Sequence, residues 1–314
     1  MKHKGRNIAI SAILAACILV PFWMLYLQPA LQKVQSSATS DNSPTKGRIT
    51  VAVDRSLMTA AMMQARMFSD HYPDARVELS AESSRHSLLR LLQHEVAAVL
   101  MNGSCTSGED SLMTRLGPLL RKEPVARSAL ACIVNGANPA ESVSVNELKT
   151  LFSDRRIILK TGGKPFPFRK AYLAGDDMRL RMELSEKLFG NAVRLAAIPC
   201  ENEAAVVSRI ASEPDALGII DLPSFARLAG GSSGIRHVRI LPVKATDNAM
   251  PVTPSSYSIY RGTYPLVTVV TYVYDSRDAL ATGFGAWLAK EGQKTFERND
   301  IAPFRQTVRT IILK

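Results

Sequence analysis

The residues best suited to metal or nucleophilic chemistry are five histidines and four cysteines, and their spacing builds no site. His3, His71, His86, His94 and His237 are scattered, with His86 and His94 eight positions apart, so no metal centre is expected. Cys17, Cys105, Cys132 and Cys200 form no CxxC pair. Cys105 and Cys132 are compatible either with a disulfide in an oxidising compartment or with two buried thiols. Ser104–Glu109 reads as a polar loop, where a nucleophile would need a histidine base that the sequence does not place. There is no GxGxxG or phosphate-loop pattern, and Gly230–Gly234 precedes a strand and reads as a surface loop. The methionines of Met58–Met67 fit core filling better than a cofactor site. Neither an enzyme nor a cofactor is expected.

What must position any site is set by the chain as a whole. It has 314 residues, a net charge of +11, 46% hydrophobic and 21% charged residues, which excludes a disordered composition. With 18 Gly, 17 Pro and 4 Cys, collagen-like and disulfide-dense classes are excluded too. The basic residues are dispersed and residues 1–46 hold five of them against Asp41 alone, so no nucleic-acid stripe is visible. The remaining positive charge permits anion attraction.

Residues 1–7 are a short basic flank. Residues 8–27 carry no charge over 20 positions, enough to cross a bilayer as a helix with the N-terminus inside. The expectation is an inner-membrane anchor, with a lipidated Cys17 (Leu14-Ala15-Ala16-Cys17) or a cleaved signal as alternatives. Each places the folded body in the periplasm. Residues 28–47 are a polar linker.

From Arg48 strands and helices alternate. Ile49–Val53, Ala75–Leu79 and Val96–Met101 read as strands, separated by helices at Leu57–His71 and Ser84–Glu95. A second unit follows: a strand at Ala129–Val134, a capping box at Ser144–Glu147 opening a helix to Phe152, helices at Asp176–Phe189 and Asn202–Ser212, and a strand at Ala216–Ile220. The first unit then resumes with strands at Val238–Val243 and Tyr264–Tyr274, a helix over Arg277–Arg298 and a terminal strand at Val308–Leu313. This is an α/β class.

Local words in this order resemble the phosphate-binding (PstS-like) subunits of ABC importers. They include Gly47–Val53 with Ser56-Leu57, Phe68–Ala75, Ile133-Val134-Asn135 with Asn138-Pro139, Ser144–Phe152, Ala216–Ile220, Tyr264-Pro265-Leu266 and Gly283–Lys294. The resemblance implies a two-lobed periplasmic-binding-protein fold with hinge strands. Residues 48–130 plus 238–314 would form lobe I and residues 131–237 lobe II. It further implies a small oxyanion, phosphate favoured, held in the cleft of a monomer that works with an ABC permease.

Carried over position by position, the ligand-binding candidates are Arg55, Ser56 and Leu57 in the first loop, Ser83 and Ser84 in the second, Asn102 after the third strand, and Arg169, Asp176 and Asp177 in the last. Ser84, Asp176 and Asp177 read as plain helix caps ahead of ligands, and Asn102 most simply as a turn residue. Acids replace the hydroxyl groups that the family places at the last loop. The alternative reading is a ligand-free binding fold serving as an interaction or sensory module at the membrane.

Overall fold

The computed structural model describes residues 42–116, 119–154, 157–161, 164–230, 233–296 and 301–305. The expected basic flank, membrane segment, Cys17, most of the linker and the terminal strand 308–313 lie outside them. Among the described residues no helix is long and apolar enough to cross a membrane.

The first half opens with β1 (Gly47–Asp54), a 3-10 turn at Arg55–Leu57 and α1 (Met58–His71). Then come β2 (Ala75–Glu82), α2 (Ser84–Leu92), β3 (Ala98–Asn102) and α3 (Ser107–Leu116). β1 pairs in parallel with β2 and β3, as expected of right-handed βαβ crossovers. The chain then runs through β4 (Leu120–Asn135), β5 (Val143–Ser144) and α4 (Val145–Asp154). α4 has the expected capping box: Glu147 Oε2 accepts from Ser144 N at 2.7 Å and Ser144 Oγ accepts from Glu147 N at 3.1 Å.

A hairpin of β6 (Ile157–Thr161) and β7 (Lys164–Phe168) leads to β8 (Lys170–Ala174) and α5 (Met178–Phe189). Asp177 caps α5 by accepting from Leu180 N at 2.9 Å, and Gly190 ends it at φ 73°. β9 (Ile198–Cys200), α6 (Glu203–Ser212), β10 (Ala216–Asp221) and α7 (Leu222–Ala229) follow. β10 lies parallel to β8, and β8 to β9. Gly218 lets α6 settle on β10: a Cβ there would lie 2.9 Å from Val206 Cγ1.

The chain returns through β11 (Val238–Ile240), β12 (Val243–Lys244), α8 (Ser256–Tyr260), β13 (Val267–Asp275), α9 (Ala279–Ala289), α10 (Gln293–Phe296) and β14 (Ala302–Pro303). The single helix expected over Arg277–Arg298 is thus two, divided where Lys290 leaves helical geometry (φ −125°, ψ −88°). The strand expected from Tyr264 begins at Val267, because Tyr264 turns inward and donates its hydroxyl to Leu130 O at 2.7 Å.

The main sheet runs β2-β1-β3-β13-β4-β10-β8-β9. Two lobes grow from it. One core gathers Ile49, Phe68, Leu100, Tyr272, Phe284 and Trp287, with Phe68 edge-on to Phe284 at 5.2 Å and to Trp287 at 5.8 Å. The other gathers Ile133, Phe152, Leu184, Ile210 and Ile219, and also Val238, Leu241, Ile259, Tyr264 and Leu266. β4 serves both: Leu120–Ala129 pair with β13, and Leu130–Val134 pair with β10.

Candidate functional site

β1 and β3 run antiparallel to β10, β8 and β9, so the carboxyl ends of the two sets face each other across the middle of β4. Binding sites of open α/β sheets form at such ends. Here they carry Asp54 (β1), Asn102 (β3), Asp176 and Asp177 (after β8), Asn202 and Glu203 (after β9) and Asp221 (β10). Helices start directly beyond, and their N-termini favour acidic side chains.

The facing ends enclose a cavity of about 720 Å³. Arg55, Ser56, Ser83, Asp176 and Asp177 line it together with Asp54, so five of the nine expected residues come together there. Asn102 stands just behind: its Nδ2 donates to Ser56 Oγ (3.3 Å) and to Asp221 Oδ1 (2.9 Å). Leu57 is 1% exposed and belongs to the first core rather than to the lining. Ser84 begins α2; its side chain is outside the described residues. Arg169 does not reach the cavity. It precedes β8, whereas Asp176 follows that strand, which puts them at opposite ends of roughly 17 Å of extended chain. Arg169 instead lies exposed beside Asp215 at 3.8 Å.

The helix-terminal N–H groups that would greet an oxyanion already serve the protein's own acceptors. Asp54 Oδ1 accepts from Ser56 N at 2.9 Å and from Ser56 Oγ at 2.7 Å. Asp177 Oδ1 takes Leu180 N at 2.9 Å, and Asn202 Oδ1 takes Ala205 N at 3.0 Å. The guanidinium groups at the lining are paired as well. Arg55 Nη1 reaches Asp176 Oδ2 at 3.2 Å, Arg227 Nη2 reaches Glu203 Oε2 at 3.4 Å, and Arg179 grips Glu109 through two bonds of 2.9 and 2.7 Å.

Asp177, Glu203 and Asp221 each offer one carboxylate oxygen within 4.8 Å of the others. Burial, reinforced by the charges of Asp54 and Asp176, pushes Asp177 up to about 6. Burial, then the charges of Asp177 and Asp54, pushes Glu203 up to about 7, against the opposing pull of Ser224 and Arg227. Asp221 is raised well above the usual carboxylate range by burial and by Asp177, Glu203 and Asp54.

The cavity also has apolar lining from α2, α3 and α5. It includes Leu89, Leu112 and Met178, each about half exposed although large and hydrophobic. Gly103 (φ 128°) lets the chain pass beside Arg179 and Glu183, whose Oε1 accepts from Ser104 N at 2.6 Å.

Glu203, Asp221, Arg179, Glu109 and Arg227 were not among the sequence candidates. For Asp221 the signal was present: an acid directly after the buried strand Ala216–Ile220 and before Leu222-Pro223, repeating Asp54 after Ile49–Val53. Cys105 and Cys132 are free thiols. Burial pushes each up to about 12.

Residues 38–291 match the family model of the PBP superfamily domain. No curated protein shows a significant sequence match. Among solved structures, one similar chain is described as a phosphate ABC transporter substrate-binding protein with bound phosphate from Clostridium perfringens. It is 14% identical with a TM-score of 0.64, over 82% of this chain and 100% of that one. An ABC-type phosphate transport receptor from Vibrio cholerae is 16% identical with a TM-score of 0.60, over 82% and 100%. PstS from Borrelia burgdorferi is 14% identical with a TM-score of 0.55, over 83% and 100%. The match covers most of the chain, the two-lobed α/β architecture agrees with it, and the protein belongs to the PBP superfamily.

Proposed function

We propose that this chain is an extracytoplasmic solute receptor. It holds its solute in the interlobe cavity, is tethered through residues 1–47 and delivers to an ABC permease. The observation that carries this reading is the cavity itself, about 720 Å³ and formed where the strand ends of two lobes converge. Closure of two lobes on a solute removes it from water and is the movement such folds support. The core membership of Val238–Leu266 favours a lobe I of residues 43–126 and 268–296, with the second crossing near Leu266 rather than at residue 238.

Phosphate, the ligand bound in the Clostridium perfringens relative, remains a candidate solute through Ser56 and Ser83. Against it, the backbone donors and guanidinium groups are taken by resident carboxylates, and a free dianion beside Asp54, Asp177 and Glu203 faces like charge. We therefore place solutes other than free oxyanions first.

The test is a solute panel (phosphate, sulfate, carboxylates, amines, neutral alcohols) read by melting temperature and by radius of gyration in X-ray scattering. At least one solute should raise the melting temperature and shrink the particle. A second reading, a ligand-free interaction module, is favoured by the direct bonds that cross the cleft, Arg55–Asp176, Arg179–Glu109 and Asn102–Asp221. A silent panel with an unchanged radius of gyration selects it.

A further inference from the structure

Resting on the receptor reading above, we propose that the cavity selects a primary ammonium group borne on an apolar body, such as an alkyl- or arylalkylamine. The ammonium would sit against Asp177, Glu203 and Asp221. Oxygens no more than 4.8 Å apart have a common centre within about 2.8 Å of each, which is the length of a charge-assisted N–H···O bond. An ammonium carries three donors and no acceptor, so it suits three carboxylate oxygens.

The local charge is unbalanced in the matching direction. Asp54, Asp177, Glu203 and Asp221 interact with one another. Two guanidinium groups face them: Arg227, which is 44% exposed, and Arg181, whose Nε donates to Ala174 O at 3.2 Å. Arg55 and Arg179 are committed to Asp176 and Glu109.

A second observation is independent of charge. Ser224 is fully buried at the same spot, and its Oγ lacks a partner of good hydrogen-bond geometry, as does Glu203 Oε1. The serine hydroxyl lies close enough to Glu203 to lower its proton affinity. Even with that hydroxyl turned toward Glu203, the two oxygens keep lone pairs that no other donor among the described residues meets.

The choice of an organic cation over a bare metal ion comes from the apolar lining. A metal ion needs only the oxygens, whereas this cavity also presents Leu88, Leu89, Leu92, Leu112, Met178 and Met182. Leu89, Leu112 and Met178 are 49%, 48% and 49% exposed, so a hydrocarbon body laid on them would recover burial that the protein alone does not provide.

The experiment is calorimetric titration of the full-length protein in lipid nanodiscs, with empty nanodiscs as blank. The probes are 2-phenylethylammonium, n-butylammonium, the neutral isostere 2-phenylethanol, inorganic phosphate and manganese(II) chloride. The expected result is that 2-phenylethylammonium binds at least tenfold more tightly than 2-phenylethanol. Asp177→Asn, which keeps the helix cap, and Glu203→Gln should each weaken it at least tenfold while melting as cooperatively as the parent. Equal binding of ammonium and alcohol overturns the proposal. So does binding of phosphate or manganese(II) without the ammonium, which would leave the receptor reading standing. Silence from every probe overturns the ammonium proposal; the receptor reading falls only if the wider solute panel is silent as well.

Discussion

Asn102 and Asp221, 119 residues apart in sequence, meet through a 2.9 Å bond in which Asn102 Nδ2 donates to Asp221 Oδ1. Thr268 Oγ1 donates to Asn102 Oδ1 at 3.1 Å, so the amide is held with its NH₂ toward the acid. The bond joins the end of β3 to the end of β10, one from each lobe. At the position where the resemblance implies an oxyanion, the neighbouring acceptor is the protein's own carboxyl group.

That carboxyl and its neighbours give the protein a distinctive response to pH. A carboxyl group whose proton affinity is higher in the folded chain than in the unfolded one stabilises the fold at low pH. The unfolded chain releases its protons first, near pH 4, and stability is then lost as pH rises through the folded values, about 6 for Asp177 and about 7 for Glu203. The melting temperature should therefore fall between about pH 4.5 and 7.5 through this cluster. Asp221→Asn keeps an acceptor for Asn102 and removes one acid. It should raise stability at pH 8 by on the order of 1 kcal/mol and flatten the profile. An unchanged profile would show that the three acids are not charged against one another.

Arg179 and Glu109 form the most buried ion pair of the cleft, with the arginine side chain 5% exposed. Glu109→Gln leaves the guanidinium without its main counter-charge. The expected loss is about 3 kcal/mol in urea unfolding at pH 7. A loss under about 1 kcal/mol would mean that Glu183 replaces it.

Gly103 has φ 128°, and a Cβ there would lie 2.7 Å from Glu183 Oε1 and 2.8 Å from Arg179 Cδ. Gly103→Ala should cost about 2 kcal/mol or more, because both the backbone and the ion pair must yield. Differential scanning calorimetry reads this directly.

The Arg55–Asp176 pair is of the opposite kind, 64% and 45% exposed. Arg55→Ala should change stability by less than about 1 kcal/mol. Its effect should be seen in the radius of gyration of the ligand-free protein, which should rise if the pair helps hold the lobes together.

The thiols give a chemical check. Cys132 has no exposure and Cys105 is half-buried, and both are poor thiolates. Ellman's reagent should label Cys132 only on unfolding, and a reducing agent should leave the melting temperature unchanged.

The alternation of strands and helices was readable because Ile49–Val53, Val96–Met101 and Ala216–Ile220 are short apolar runs and Leu88, Leu91 and Leu92 keep helical spacing. The front of β4 was not readable: Arg121, Lys122, Glu123 and Pro124 look like a loop, and only pairing with β13 makes them strand. The first ligand loop was legible as a local word. The acid cluster was not, since Asp177, Glu203 and Asp221 each pass as an ordinary helix start, and only the convergence of β8, β9 and β10 brings them within reach of one another. Arg169 shows the same limit, because its distance from Asp176 depends on the direction of a strand, β8, that the sequence pattern did not reveal.

β4 has a mechanical consequence. Its 16 residues span about 50 Å as one strand, interrupted only by a bulge at Val125 where the register with β13 shifts, and each lobe's sheet hydrogen-bonds to a different stretch of it. The two cores therefore share one girder. Neither can melt without stripping partners from a strand that the other still needs, so heat or denaturant should dismantle the molecule in a single event. Cleft motion has to bend or twist that girder together with the second crossing near Leu266, and a fragment holding one lobe would carry away an unpaired edge.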